Sequence, residues 1–272
     1  MKLSNLFEAI VVKGANKASS QFKPVLNKMI DSSGGLELFD EDSFYPPDSV
    51  YIEFGKNILP STDNTVYIGN KYYDKNQQYN KLKGKVNTLK TYTDAIEVSV
   101  DRMIAKKKSG HKQSGQLINE LPNNPEDYIF QHLVEIQAEF RVITYYMNGR
   151  YHISGIYKKT GSNVSISQIS HNSGIGKVIA ETAIKATARL GYGLGGCDIA
   201  VVDASHLNDL VLGESLMGFT ASKATKLIGK IRNHDELLNN SHVVVLEVNS
   251  YPSMSNKAIS HDLLRSIELN KN

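Results

Sequence analysis

At 272 residues, with 40% hydrophobic residues and a formal charge of +3, the chain can bury a sizeable core, and it lacks the large basic excess of a dedicated nucleic-acid binder. Its single cysteine, Cys197, excludes an internal disulfide and a cysteine-rich zinc site, and points to a reducing, cytoplasmic setting. No apolar run approaches the ~20 residues of a membrane-spanning helix, so no membrane partner is expected.

The first stretch, MKLSNLFEAIVVKGANKAS, has its apolar run interrupted by Glu8 and followed by Lys13, so it reads as a short amphipathic element rather than a signal peptide. Residues 1–31 look helical in places, and Asp31–Gly35 (DSSGG) breaks them. A loop-rich zone ends at Tyr45-Pro46-Pro47-Asp48. Val50–Phe54 (VYIEF) and Thr65–Ile68 (TVYI) then carry the β-branched and aromatic content of short strands, with Pro60 and Asp63 turning the chain between them. Asn70–Lys85 is polar with little apolar periodicity, a surface connection or solvated helix at a domain boundary.

Val86, Leu89, Tyr92 and Ile96 are spaced for one face of a helix over 86–98, leading to a strand at Arg102–Lys106. The segment KKSGHKQSGQLI describes a glycine-containing hairpin loop with a positive tip. Tyr128–Val134 is the next strand, and Glu139–Met147 alternates well enough to be another. Asn148-Gly149 is the strongest short hairpin signal and pairs that strand with Tyr151–Tyr157.

Then the period changes. Gly176–Leu190 places Val178, Ile179, Ala183, Ala186 and Leu190 along a helical face, with Gly191 as its stop. A strand at Cys197–Val202, a helical region around Ala221–Ile231 and a strand at Val243–Val248 complete the pattern. Mixed helices and hairpins make the class α+β.

Glu247 and Asn249 stand two apart and project from one strand face. With Asp198 on a neighbouring strand they offer the oxygen ligands that Mg²⁺ takes; the plainer reading is polar strand ends, with Asn249, Ser250 and Pro252 forming a turn. In the loop Lys106–Gly115 (KKKSGHKQSG), glycines admit an anion to the backbone and lysines act as point charges for phosphate. The order is not that of a Walker A loop, and a soluble hairpin tip with an exposed His111 is the alternative. Arg141 shares a face with Glu139, either as an ion pair or as phosphate and ribose contacts. Lys158 and Lys159 end the following strand, facing solvent or a triphosphate. No nucleophile motif occurs, and Cys197 reads as a small buried residue.

Taken in order, MIAKKKSGHKQSGQLI, YIFQHLVEIQAEFRV, YKK, GGCDIAVVD and LEVNSYPSM resemble the ATP-grasp superfamily of carboxylate–amine ligases over roughly residues 85–257. The resemblance implies two α+β lobes clasping a nucleotide: a short N-terminal domain at 1–84, a small lobe at 85–134 and a large lobe at 135–272. It implies that Lys106 reaches the α and β phosphates under a loop holding Lys108, Gly110 and Gly115. Gln131, His132, Leu133 and Val134 would meet adenine, largely through backbone groups, and Glu139 would hold the ribose, with Glu135 as its competitor.

The same resemblance puts Arg141 and Lys158 at the β and γ phosphates as catalytic groups, and makes Asp198, Glu247 and Asn249 the magnesium ligands. ATP and Mg²⁺ are the implied cofactors. A small-molecule or peptide carboxylate would be phosphorylated, and an amine would displace phosphate to give an amide. Two other readings compete: an ATP-binding regulator without turnover, and a nucleic-acid ligase that adenylylates a lysine, for which Lys107-Lys108-Ser109-Gly110 fits the loose K-x-x-G pattern but lacks an Asp at its third position. The sequence does not decide the oligomeric state, a homo-oligomer included.

Overall fold

The computed structural model describes residues 10–13, 37–38, 50–54, 64–68, 73–94, 99–109, 115–161, 163–171, 174–213, 241–250 and 257–270. Gly110, His111, Ile96, Pro252 and the expected helical region at 221–231 lie outside them. In chain order the elements are β1 (Ile10–Lys13), β2 (Glu37–Leu38), β3 (Val50–Phe54), β4 (Thr65–Ile68), α1 (Lys75–Leu82), β5 (Thr88–Leu89), β6 (Thr91–Tyr92), β7 (Met103–Lys107), β8 (Gln116–Ile118) and β9 (Tyr128–His132). Then come β10 (Ile136–Met147), β11 (Arg150–Thr160), β12 (Asn163–Gln168), α2 (Gly174–Leu190), β13 (Leu194–Asp203), β14 (Leu210–Val211), β15 (Ser241–Asn249) and α3 (Lys257–Leu269). The class is α+β, as expected.

The chain divides into two compact units: one of Met1–Lys71, Phe140–Cys197 and Val248–Asn272, the other of Tyr72–Glu139 and Asp198–Glu247. In the first, β2-β1-β3-β4 form a four-stranded sheet with parallel pairing. Ile10–Lys13, within the stretch expected to be helical in places, is therefore a strand. Ile10, Val11 and Val12 are three β-branched residues in a row, which favours extended backbone.

In the same unit, β10 and β11 are joined by Asn148 (φ 53°) and Gly149 (φ 76°), both left-handed, as a two-residue hairpin turn matching strand twist requires. Helices α2 and α3 both lie against β11. The inner face of α2 buries Ile179, Ala183, Ala186 and Leu190, and Gly191 ends it at φ 70°. On α3, Ile259, Leu263, Leu264 and Ile267 are buried. Two hydroxyls fix that helix: Tyr157 donates to Asp262 Oδ2 at 2.9 Å, and Tyr145 bonds Ser266 Oγ at 2.9 Å.

The second unit contains the antiparallel sheet β6-β9-β7-β8. It also contains β5, paired in parallel with β15 (Thr88 opposite Val245) and antiparallel with β14 (Leu89 opposite Leu210). Leu89, Val134, Ala200, Val202, Leu210 and Val244 close an apolar cluster. Asn87, almost wholly buried, bolts these strands together. Its Nδ2 donates to the Val243 carbonyl at 3.1 Å, and its Oδ1 accepts from Gly213 N–H at 2.9 Å.

The helix expected over 86–98 is not formed where the segment is described: residues 88–89 and 91–92 are strands. The apolar spacing there also fits short strands, and the partners that select them, Val243, Val245 and Gly213, lie far along the chain. The polar stretch before it is helix α1. Asp74 caps it by accepting from Gln77 N–H at 2.7 Å, while the Gln77 side chain accepts from Asp74 N–H at 3.1 Å. This reciprocal box satisfies two donors that a helix start leaves unpaired, and the helix turns Gln78 and Leu82 inward.

Candidate functional site

The antiparallel sheet of the second unit has two unlike faces. Register places Ala105 opposite Phe130 and Met103 opposite His132, and on that side Met103, Ala105 and Phe130 pack with Tyr92, Ile118 and Tyr128 into an apolar cluster. Because side chains alternate along a strand, the other face takes Ile104 and Lys106 from β7, Ile129 and Gln131 from β9, and Thr91 from β6. That face borders an open cleft whose empty space, solvent included, is ≈ 440 Å³. Helix α1 contributes Lys75, Gln78, Tyr79 and Leu82; β5 contributes Thr88 and Leu89; β15 contributes Val245, Leu246 and Glu247.

The charges converge within this cleft. Lys106 is half-buried on its wall, and Lys75 Nζ lies 3.9 Å from Glu247 Oε2. Gly115 stands beside Lys106 because no side chain fits there: a Cβ would collide with Ile104 Cγ2 and stand 3.1 Å from both Cγ and Cε of Lys106. Two buried groups on the wall, Thr88 Oγ1 and Gln131 Oε1, have no hydrogen-bond partner among the described residues.

Of the residues singled out from sequence, Lys106, Gln131 and Glu247 are brought to one cleft. Lys108 is engaged elsewhere, its Nζ donating to the Glu126 carbonyl at 2.6 Å. The side chain of His132 faces the apolar side of the sheet, edge-on to Tyr92 at 5.7 Å. Leu133 N–H donates to the Arg102 carbonyl at 2.7 Å, and Val134 is buried in the second unit's apolar cluster. Glu135 is exposed, with its N–H donated to His206 Nε2 at 3.1 Å. Glu139 is half-buried near the start of β10. Asp198, on β13, is 1% exposed, and β13 neighbours β15 in the sheet order.

Arg141, Lys158 and Asn249 belong to the first unit, Lys158 exposed and the other two half-buried. Cys197 is fully buried, as expected. Among the described residues no group of three or more His, Cys, Asp and Glu side chains is placed to hold a metal ion. The donors proposed for magnesium are two carboxylates and an amide, all hard oxygen donors, and so fit that ion in kind. Lys75, Thr88 and Thr91 escaped the sequence reading, although the Asp74–Gln77 capping pair marks where α1 starts and thus where Lys75 falls.

No protein-family model matches the sequence, and no curated protein does. Among solved structures, the chain is similar to the D-alanine–D-alanine ligase from Coxiella burnetii, at 12% identity and a TM-score of 0.49, covering 96% of this chain and 92% of that one. It is also similar to the N5-carboxyaminoimidazole synthase from Aspergillus clavatus in complex with ADP and 5-aminoimidazole ribonucleotide, at 12% identity and a TM-score of 0.46, covering 97% of this chain and 77% of that one. A third is the ATP-grasp ligase PsnB complexed with a minimal precursor, at 12% identity and 0.45, covering 96% and 98%. Among the described residues no helix is long and apolar enough to cross a membrane.

Proposed function

We propose that the chain is an ATP-grasp ligase that joins a carboxylate to an amine, with the nucleotide held in the cleft of the second unit. The observation that carries this reading is the convergence of Lys106, Lys75 and Glu247 on one wall system around a buried amide, Gln131. Two ammonium groups suit phosphate oxygens, and a carboxylate beside them suits the metal that accompanies a triphosphate. The order of motifs along the chain agrees with the same reading. It assigns 1–84 to a short front domain, 85–134 to a small lobe and 135–272 to a large lobe.

In this reading Lys106 and Lys75 neutralise phosphate charge, the Asp198 and Glu247 oxygens hold the cation, and Glu139 holds the ribose. Magnesium, when bound, offsets the charge on the phosphate oxygens during transfer. A substrate carboxylate oxygen attacks the γ-phosphorus, and the bond to ADP breaks. The amine then attacks the acyl carbon, loses a proton and expels phosphate. No protein nucleophile is needed, in keeping with a sequence that offers none.

The test is incubation with Mg-ATP and a metabolite extract, reading phosphate release and identifying the new amide by mass spectrometry. Turnover that requires both a carboxylate and an amine is expected, and Glu247→Ala should abolish it with the protein still folded. AMP left covalently on a lysine, with pyrophosphate released, would instead establish the adenylylating reading, and binding without turnover would establish the regulator.

A further inference from the structure

One side chain in the cleft has its orientation dictated by a hydrogen-bond relay. The Leu89 carbonyl can only accept, and Thr91 Oγ1 lies 3.1 Å from it as donor. A hydroxyl has one proton, so Thr91 can only accept from its other neighbour, Gln131. Gln131 therefore presents its amide nitrogen, and Nε2 donates to Thr91 Oγ1 at 2.8 Å. Its Oε1 is the atom left over, buried and, among the described residues, without a partner, in a residue 7% exposed that borders the cleft.

We infer that Thr91 is a positioning residue that sets the ligand specificity of the cleft. By turning the Gln131 amide so that its oxygen is the unpaired atom, it makes this part of the wall an acceptor, which selects a ligand carrying an N–H donor. The inference rests on the nucleotide reading above. The adenine base has one such donor group, its 6-amino group, whereas a 6-oxo base presents an acceptor there and leaves two acceptors facing each other. A Gln amide held by nothing could rotate to suit either base; one held by Thr91 cannot.

The experiment is titration calorimetry of the full chain with Mg-ATP and Mg-ITP, which differ at that substituent. The unaltered chain is expected to favour ATP at least tenfold, a 1.4 kcal/mol difference, within the range for a buried polar group left unsatisfied. Thr91→Val keeps the shape and removes the relay, so the ratio should fall toward one. Thr91→Ser should restore it. Gln131→Glu offers an acceptor in either orientation, so Gln131→Glu with Thr91→Val should keep the preference for ATP, an outcome a merely structural role for Thr91 does not produce.

Should Thr91→Val fail to fold, Thr91→Ala removes the same hydroxyl with less bulk and carries the comparison: its ratio should likewise fall toward one. A ratio near one in the unaltered chain, or an unaltered ratio in Thr91→Val, overturns the inference while leaving the nucleotide reading intact. Failure to bind either nucleotide overturns both.

Discussion

The Lys75 ammonium lies 3.9 Å from Oε2 of Glu247, one from the first turn of α1 and the other from β15. At that separation, and with both side chains reached by water, the pair contributes about 0–1 kcal/mol to stability. Its importance lies in the cleft it borders. Lys75→Met is expected to leave the urea midpoint within that small margin while weakening Mg-ATP binding roughly tenfold, the order of one lost charge-assisted contact. Calorimetry and denaturation on the same sample decide it; unchanged affinity removes Lys75 from the nucleotide site.

Gly115 makes a different kind of contribution, through the space it leaves. A methyl group there meets Ile104 and crowds Lys106, and overpacking of this kind costs about 1–3 kcal/mol. Gly115→Ala should therefore lower the melting temperature and, by displacing the Lys106 side chain, weaken nucleotide binding as well. Adding Ile104→Ala, which removes the first colliding carbon, should recover part of the stability. A Gly115→Ala protein as stable as the parent would show that β7 and β8 adjust freely.

Local signals were read correctly where the structure is itself local. The Asn148-Gly149 turn and the alanine-rich face of α2 depend on neighbours a few residues away, and the β-branched and aromatic content of β3 and β4 marks them as strands although β3 pairs with distant β1. Helix α3 is legible too, since Ile259, Leu263, Leu264 and Ile267 recur at helical spacing. The segment around Asn87 was not legible. Its choice of strand over helix is made by Val243, 156 residues on, and Gly213, 126 residues on. The candidate site divides the same way. Lys106 and Glu247 stood in motifs, whereas the relay from Leu89 through Thr91 to Gln131 exists only once β6 pairs with β9.

Asn87 can be tested as the bolt of the second unit. Asn87→Ala leaves the Val243 carbonyl and the Gly213 N–H without their partners, at roughly 1–3 kcal/mol each, so a loss of about 2–6 kcal/mol is expected. Asn87→Asp separates the two contacts. The acceptor for Gly213 remains, but at neutral pH a carboxylate oxygen faces the Val243 carbonyl, and protonation of that oxygen restores a donor. Stability of Asn87→Asp should therefore rise relative to the parent as pH is lowered toward 4, measured by thermal melts. A flat difference across pH would show that the Val243 contact contributes little.

Acid should weaken the unaltered protein through two histidines. His152 stacks on Tyr145 at 5.0 Å with its Nε2 donating to the Met147 carbonyl at 3.2 Å, and burial pushes its pKa below the ordinary value, as it does that of His242. Above about pH 6.5, the unfolded-chain value, both states leave these rings neutral and the stability is fully present. As pH falls through that value the unfolded chain takes up protons first, so stability is lost until the depressed folded-state values are passed. Each ring contributes a slope of at most about 1.4 kcal/mol per pH unit. Melting temperature should thus hold steady above pH 7 and fall between pH 6.5 and 5, and His152→Gln should flatten that fall. An unchanged slope in His152→Gln would mean that this ring takes its proton equally well in the folded chain.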